Sequence, residues 1–183
     1  MIPTKFDVNN LIEDARNEGS LVIMMCGVAG SGKTTFAQKL EKIGFSRLSI
    51  DEEIWSTNGR YGIDYPVGQY KQYAVKAELK LKEKLISLIK KKRNIVIDFS
   101  FWQKKQRDNY KKLIEATGGM WKLIYLKVPP EILRTRLEIR SKMFDANAAF
   151  TITDELLNSF IYNFEAPSGE GEIVVDNKKT IFK

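Results

Sequence analysis

The stretch Gly27-Val-Ala-Gly30-Ser-Gly32-Lys33-Thr34-Thr35, directly after the apolar run Leu21-Val-Ile-Met-Met-Cys26, has the spacing G-x-x-x-x-G-K-[ST]. In that pattern a strand becomes a helix through a glycine-rich loop whose amide N–H groups converge on phosphate oxygens. Glycine is needed because the backbone must approach the phosphates closely, often at positive φ. Gly27, Ala29, Gly30, Ser31, Gly32 and Thr35 are therefore candidate phosphate-cradle residues. Lys33 supplies a point charge for β- and γ-phosphates, and the Thr34 hydroxyl can ligate Mg²⁺. Phe36, Ala37, Leu40 and Ile43 then continue at helical spacing, the context the motif requires.

Phosphoryl transfer asks a protein for cations around the transferring group, Mg²⁺, and a carboxylate for the acceptor. Asp51 follows an apolar stretch and can face an acceptor hydroxyl as general base; the acidic run Asp51-Glu52-Glu53 also reads as a helix start. Asp98 ends the run Asn94-Ile-Val-Ile and can hold Mg²⁺ through water or hydrogen-bond the acceptor. Arg136 and Arg140 are four apart, so they share a helix face and can clamp phosphates as a lid, or pair with Glu131 and Glu138 in solvent. Trp55, Tyr61 and Tyr65, with Tyr70, crowd an irregular glycine-rich stretch that can supply an acceptor pocket or simply pack beneath a sheet.

Composition narrows the chemistry. The 183 residues include no histidine, which excludes imidazole as base or metal ligand and leaves carboxylates, lysines and hydroxyls. A net charge of +7 suits an anionic ligand without requiring nucleic acid. The single cysteine, Cys26, cannot form a disulfide framework and reads as a small buried hydrophobe, in keeping with a reducing cytoplasm. Apolar runs are too short to span a membrane and no signal-peptide pattern opens the chain, so a cytoplasmic protein without membrane attachment is expected.

The elements that must carry these residues alternate. Helix is expected over 8–18, with Asp7 as cap and Gly19 as stop, then strand over 21–26, helix to about Gly44, and strand over 45–50 delivering Asp51 at its end. Residues 55–70 are irregular, 72–92 form a long helix whose Lys90-Lys-Lys-Arg93 end complements the helix dipole, and 94–98 form strand three. Ser100 and Gln103 have capping-box spacing for a helix reaching Gly118-Gly119. Strand 121–128, helix 131–142, a helix capped by Thr153, and strand 172–175 complete the series. Strands alternating with helices imply an α/β/α arrangement around a five-stranded parallel sheet of order 2-3-1-4-5, with the ligand at the C-terminal strand edge. One domain over 1–183 is expected, with a helical extension over 1–20, an acceptor segment over 51–73 and a lid over 131–150.

The glycine loop, Leu48-Ser-Ile-Asp51, Asn94-Ile-Val-Ile-Asp98-Phe-Ser-Phe-Trp102 with Arg107 behind it, and Leu123-Ile-Tyr-Leu-Lys-Val-Pro-Pro-Glu131 leading to Arg136 and Arg140 resemble the P-loop kinase-like ATP-binding proteins. That broad family includes chloramphenicol phosphotransferase, zeta toxins and polynucleotide 5′-kinases, and the likeness covers roughly 21–176. It implies ATP as donor, Asp51 at the general-base position and the Arg136/Arg140 region as lid. Polynucleotide kinases often carry arginine three residues after the base; here that residue is Ile54. The reading preferred from the sequence is a kinase that moves the γ-phosphate of ATP to a hydroxyl of a small molecule such as an antibiotic, sugar or nucleoside. The alternatives are a 5′-kinase on nucleic acid and a regulatory ATP-binding module without an acceptor.

Overall fold

A computed structural model describes residues 19–143 and 151–176, together with Glu13 and Ala146. The helix expected over 8–18 lies outside the described residues. Strands β1 (Ser20–Cys26), β2 (Ser46–Leu48), β3 (Ile95–Ile97), β4 (Gly119–Lys127) and β5 (Glu172–Asp176) form one parallel sheet in the order β2-β3-β1-β4-β5. This is the order expected from the alternation of elements.

Helices cover both faces: α1 (Lys33–Lys42), α2 (Ile50–Asn58), α3 (Tyr70–Lys90), α4 (Lys104–Ala116), α5 (Pro130–Arg140) and α6 (Asp154–Asn163). All seven residues of β1 are buried because its two faces meet different helices. Val22 and Met24 pack with Leu81, Leu85 and Ile114, while Leu21, Ile23 and Met25 pack with Ala37 and Leu40. Each fully buried Leu, Ile or Met contributes about 1.5–3 kcal/mol of transfer free energy, so the strand that carries the glycine loop is the most firmly held. No helix among the described residues is long and apolar enough to cross a membrane.

Local chemistry moves several boundaries. Strand 45–50 is shorter than expected because Ser49 caps α2, accepting from the Glu52 amide at 3.4 Å, and Ser49-x-x-Glu52 has capping-box spacing. Asp51 thus lies in the first turn of α2, whose dipole favours a carboxylate there. That helix continues through Trp55 to Asn58, so the irregular stretch begins only at Gly59. The Ser100 and Gln103 capping box does not form: Gln103 itself is the N-cap of α4, its side chain makes no capping bond, and the Lys104 amide donates to Glu165 Oε2 at 2.7 Å. Thr153 caps α6, accepting from the Leu156 amide at 3.3 Å.

Candidate active site

The loop between β1 and α1 is shaped by its glycines. Gly27 has φ 149°, and a Cβ there would sit 2.6 Å from Ser31 Oγ. Gly30 has φ 81°, and its Cβ would press on Leu137 Cγ of α5 at 3.1 Å. Any side chain at either position forces the loop out of shape. Lys33 Nζ donates to Val28 O at 3.0 Å and lies 3.5 Å from Ser31 Oγ, folded back along the loop. Burial, with a smaller push from Arg140, lowers its pKa to about 8 against the pull of Asp98, Cys26 and Asp51.

Beside this loop opens a cavity of about 330 Å³ lined by Lys33, Thr34, Asp51, Asp98 and Arg140, and by apolar residues from three helices and the loops between elements. Most of the charged residues singled out in the sequence meet here. Asp51 accepts a hydrogen bond from the Tyr70 hydroxyl at 2.5 Å. Burial pushes the Asp51 carboxyl above the ordinary carboxylate range and Asp98 adds to this; the Tyr70 bond, Arg140 and Lys33 pull the other way. Tyr70 is itself held in the phenol form, chiefly by burial and then by the Asp51 charge.

Asp98 follows β3 and has a 9% exposed surface. Its Oδ1 lies 3.4 Å from the Thr34 hydroxyl, and its Oδ2 accepts from Arg47 Nε and Nη2 at 3.1 and 2.9 Å. The other end of Arg47 is anchored, Nη1 reaching Glu52 at 2.6 Å and Glu41 at 3.7 Å. Arg47 is a site residue that the sequence reading missed; the available signal was one arginine inside a short apolar strand. Thr34 with Asp98 fits a Mg²⁺ that takes its remaining ligands from nucleotide phosphates and water, a common arrangement for this hard, octahedral ion. Among the described residues no cluster of three carboxylate or thiol ligands exists that would hold a metal without nucleotide.

The two arginines expected to form a lid have separate environments. Arg136 Nη1 donates to the Gly30 and Ser31 carbonyls, both at 3.2 Å, bracing the phosphate loop from α5. Arg140, one turn later, lines the cavity. Of the expected lid over 131–150, residues 144–145 and 147–150 lie outside the described residues.

Trp55, Tyr61 and Tyr65 are not among the cavity-lining residues. Tyr65 is buried in a cluster with Ile54 and Ala77, meeting Tyr61 edge-to-face at 6.0 Å and Tyr73 at 5.0 Å, and Tyr61 meets Tyr70 at 5.9 Å. Two of the aromatics therefore sit in a layer between α2 and α3 that supports Tyr70, and not beneath the sheet. The aromatic wall of the cavity comes instead from Phe99, Phe101, Trp102 and Phe160. That wall is pinned by Arg107, which is fully buried: it donates to Phe101 O at 2.9 Å and Glu165 O at 2.8 Å and forms a two-point pair with Glu170 at 2.8 and 2.6 Å. Cys26 is buried as expected, its thiol pushed up to about 11 by burial.

No curated protein sequence matches the chain. Among solved structures it is similar to a gluconokinase from Sinorhizobium meliloti 1021, with 19% identity, 87% of this chain and 82% of that one covered, and a TM-score of 0.55. A sugar kinase from Janibacter sp. HTCC2649 is 21% identical over 87% and 85% of the two chains at a TM-score of 0.54. Kti12 from Chaetomium thermophilum, in complex with ADP-AlF3, is 14% identical over 85% and 88% at a TM-score of 0.57. These identities establish a shared fold. The match of residues 22–167 to the AAA_33 model, described as an AAA domain, covers most of the chain, which therefore belongs to that family and has its nucleotide-binding, P-loop kinase-like fold.

Proposed function

We propose that the protein is an ATP-dependent phosphotransferase that moves the γ-phosphate of ATP to a hydroxyl of a small molecule. The observation that carries this is Asp51, a half-buried carboxylate oriented by Tyr70 in the same cavity as Lys33 and Arg140.

In this reading residues 27–35 cradle the donor phosphates and Lys33 meets the β- and γ-phosphates. Tyr70 occupies one oxygen of Asp51, and the other takes the proton of the acceptor hydroxyl. A bond forms from the acceptor oxygen to the γ-phosphorus as the bond from that phosphorus to the β–γ bridging oxygen breaks, and ADP leaves. Arg140 stabilises charge on the transferring group, while Arg136 acts through the shape of the phosphate loop. Thr34 and Asp98 would hold Mg²⁺, which when bound neutralises charge on the β- and γ-phosphates. A second, largely apolar cavity of about 560 Å³ on the flank of Val28, walled by Tyr125, Val128, Leu133 and Phe164, suits the nucleobase.

Incubation with γ-labelled ATP and pooled metabolites, antibiotics, nucleosides and oligonucleotides, followed by mass analysis for a gain of phosphate, tests the proposal. Acceptor-dependent consumption of ATP is expected. Slow hydrolysis that no acceptor accelerates would replace the proposal with a regulatory role.

A further inference from the structure

We infer that the acceptor is an uncharged alcohol with an apolar body about the size of a single aromatic ring system, an inference that rests on the phosphotransferase reading. The lining of the 330 Å³ cavity falls into two chemical sets. Lys33, Asp51, Asp98 and Arg140 form one electrostatic group, each acting on the Lys33 ammonium. The other set is apolar: Ile50 and Ala74 from the α2–α3 side, Trp102 behind β3, and Ile152 and Phe160 at α6. Trp102 and Phe160 meet edge-to-face at 4.8 Å, which builds a firm wall rather than a loose one.

The placement of cations decides the class. Both cations in the described lining, Lys33 and Arg140, lie in the electrostatic set that the phosphotransferase reading gives to the donor phosphates. The next guanidinium, Arg47, is sealed against Asp98 and Glu52 with its side chain 3% exposed. Arg107 is committed to Glu170 and to carbonyls. An acceptor carboxylate or phosphate would thus be stripped of water against aromatic rings, near two carboxylates, with no cation of its own among the described residues. A neutral body loses little there and gains burial. Besides Thr34 and Tyr70, which serve Asp98 and Asp51, Ser100 and Gln106 are uncharged polar groups of the lining and suit hydroxyl or amide groups on such a molecule. Sugar acids and 5′-ended nucleic acid strands, each carrying anionic groups near the reacting hydroxyl, are the classes this wall rejects.

The test uses the full chain and a nearly isosteric pair, 1-phenyl-2-propanol and 3-phenyllactate, which share a ring and a secondary hydroxyl but differ by methyl against carboxylate. Gluconate and a 5′-hydroxyl oligonucleotide complete the set. Acceptor binding is measured by calorimetry in the presence of Mg·ADP, and transfer with Mg·ATP by mass. The neutral alcohol should bind and show kcat/KM at least about 100-fold above phenyllactate, the scale on which a site rejects a group it cannot pair. Phe160→Ser should lower its kcat/KM at least tenfold with the KM for ATP unchanged. Preference for phenyllactate, gluconate or the oligonucleotide overturns the inference while leaving the phosphotransferase reading intact, and failure of the neutral alcohol to bind overturns it as well. Binding of the neutral alcohol without any gain of phosphate supports the cavity assignment and removes the phosphotransferase reading.

Discussion

Arg47 and Asp98 form a buried ion pair across β2 and β3, two guanidinium nitrogens converging on one carboxylate oxygen at 3.1 and 2.9 Å, with each side chain 3% exposed. Burial works against the Arg47 charge, and Asp98 and Glu52 more than offset it. The pair fixes the carboxylate so that its other oxygen faces Thr34.

Removing one partner leaves the other charge buried and unpaired, a loss of about 3–5 kcal/mol. Arg47→Met should therefore lower stability by that order in denaturant unfolding. The double variant Arg47→Met/Asp98→Leu should recover more than half of the loss, because it buries no orphan charge. An Arg47→Met protein within about 1 kcal/mol of the original would mean that water reaches Asp98 and that the latch does not organise it.

Lys33 links nucleotide binding to protons. Its pKa of about 8 lies below the model-peptide value of 10.5, so the unfolded chain holds a proton that the folded chain has released between those two values. Stability of the nucleotide-free protein should rise with pH across that window, by on the order of 1–3 kcal/mol, and Lys33→Met should abolish the rise. Phosphates favour the charged ammonium, so ATP binding at pH 8–9 should take up protons. Calorimetry in buffers of different ionisation enthalpy measures this uptake directly, and identical uptake by Lys33→Met would assign it to another group.

The two lid arginines should separate in kinetics. Arg136 touches loop carbonyls, so Arg136→Ala should loosen the phosphate cradle and raise the KM for ATP more than it lowers kcat. Arg140 faces the cavity, so Arg140→Ala should lower kcat more than ATP affinity, by up to about 10³-fold, the scale of arginines that act on the transferring phosphoryl group. Equal effects of the two variants on both constants would return them to the shared clamp suggested by their spacing.

That spacing shows where the sequence is and is not legible. The glycine loop and the order of strands were readable because each follows from local rules: a motif in its strand–turn–helix setting, and continuous apolar runs where strands are buried on both faces. Asp51 and Asp98 were readable as candidates because element ends collect at one sheet edge, and Arg140 through its helical spacing from Arg136 and the family resemblance. The Arg47–Asp98 and Tyr70–Asp51 contacts join residues 51 and 19 positions apart, and no local pattern announces them. The aromatic wall was misassigned for a similar reason. Trp55, Tyr61 and Tyr65 share composition with a pocket, but α2 runs through Trp55 to Asn58 and the tyrosines turn into their own cluster, while Trp102 and Phe160 meet only after folding.

Asp51 carries the sharpest prediction because its burden on stability and its worth in transfer have opposite signs. Its folded pKa is raised, mainly by burial, so the contribution it makes to stability is present below the unfolded value and is lost as pH rises through the folded one. Above that folded value the ionised carboxylate is a cost that the fold bears. Asp51→Asn keeps an oxygen for the Tyr70 hydroxyl and removes that charge, so above the folded pKa of Asp51 it should be at least as stable as the original protein, and it should bind Mg·ATP with similar affinity. It cannot take the acceptor proton, so transfer should fall by roughly 10²–10⁴-fold. Tyr70→Phe tests the same relationship from the other side. The Tyr70 bond favours the ionised carboxylate, so its loss should shift the rising limb of the kcat/KM profile to higher pH, with turnover largely restored above it. Thermal unfolding, calorimetry with Mg·ATP and a pH–rate profile together check each part. An Asp51→Asn variant that loses nucleotide affinity instead would move Asp51 to the magnesium site, and one that keeps full turnover would leave it as the acidic start of α2.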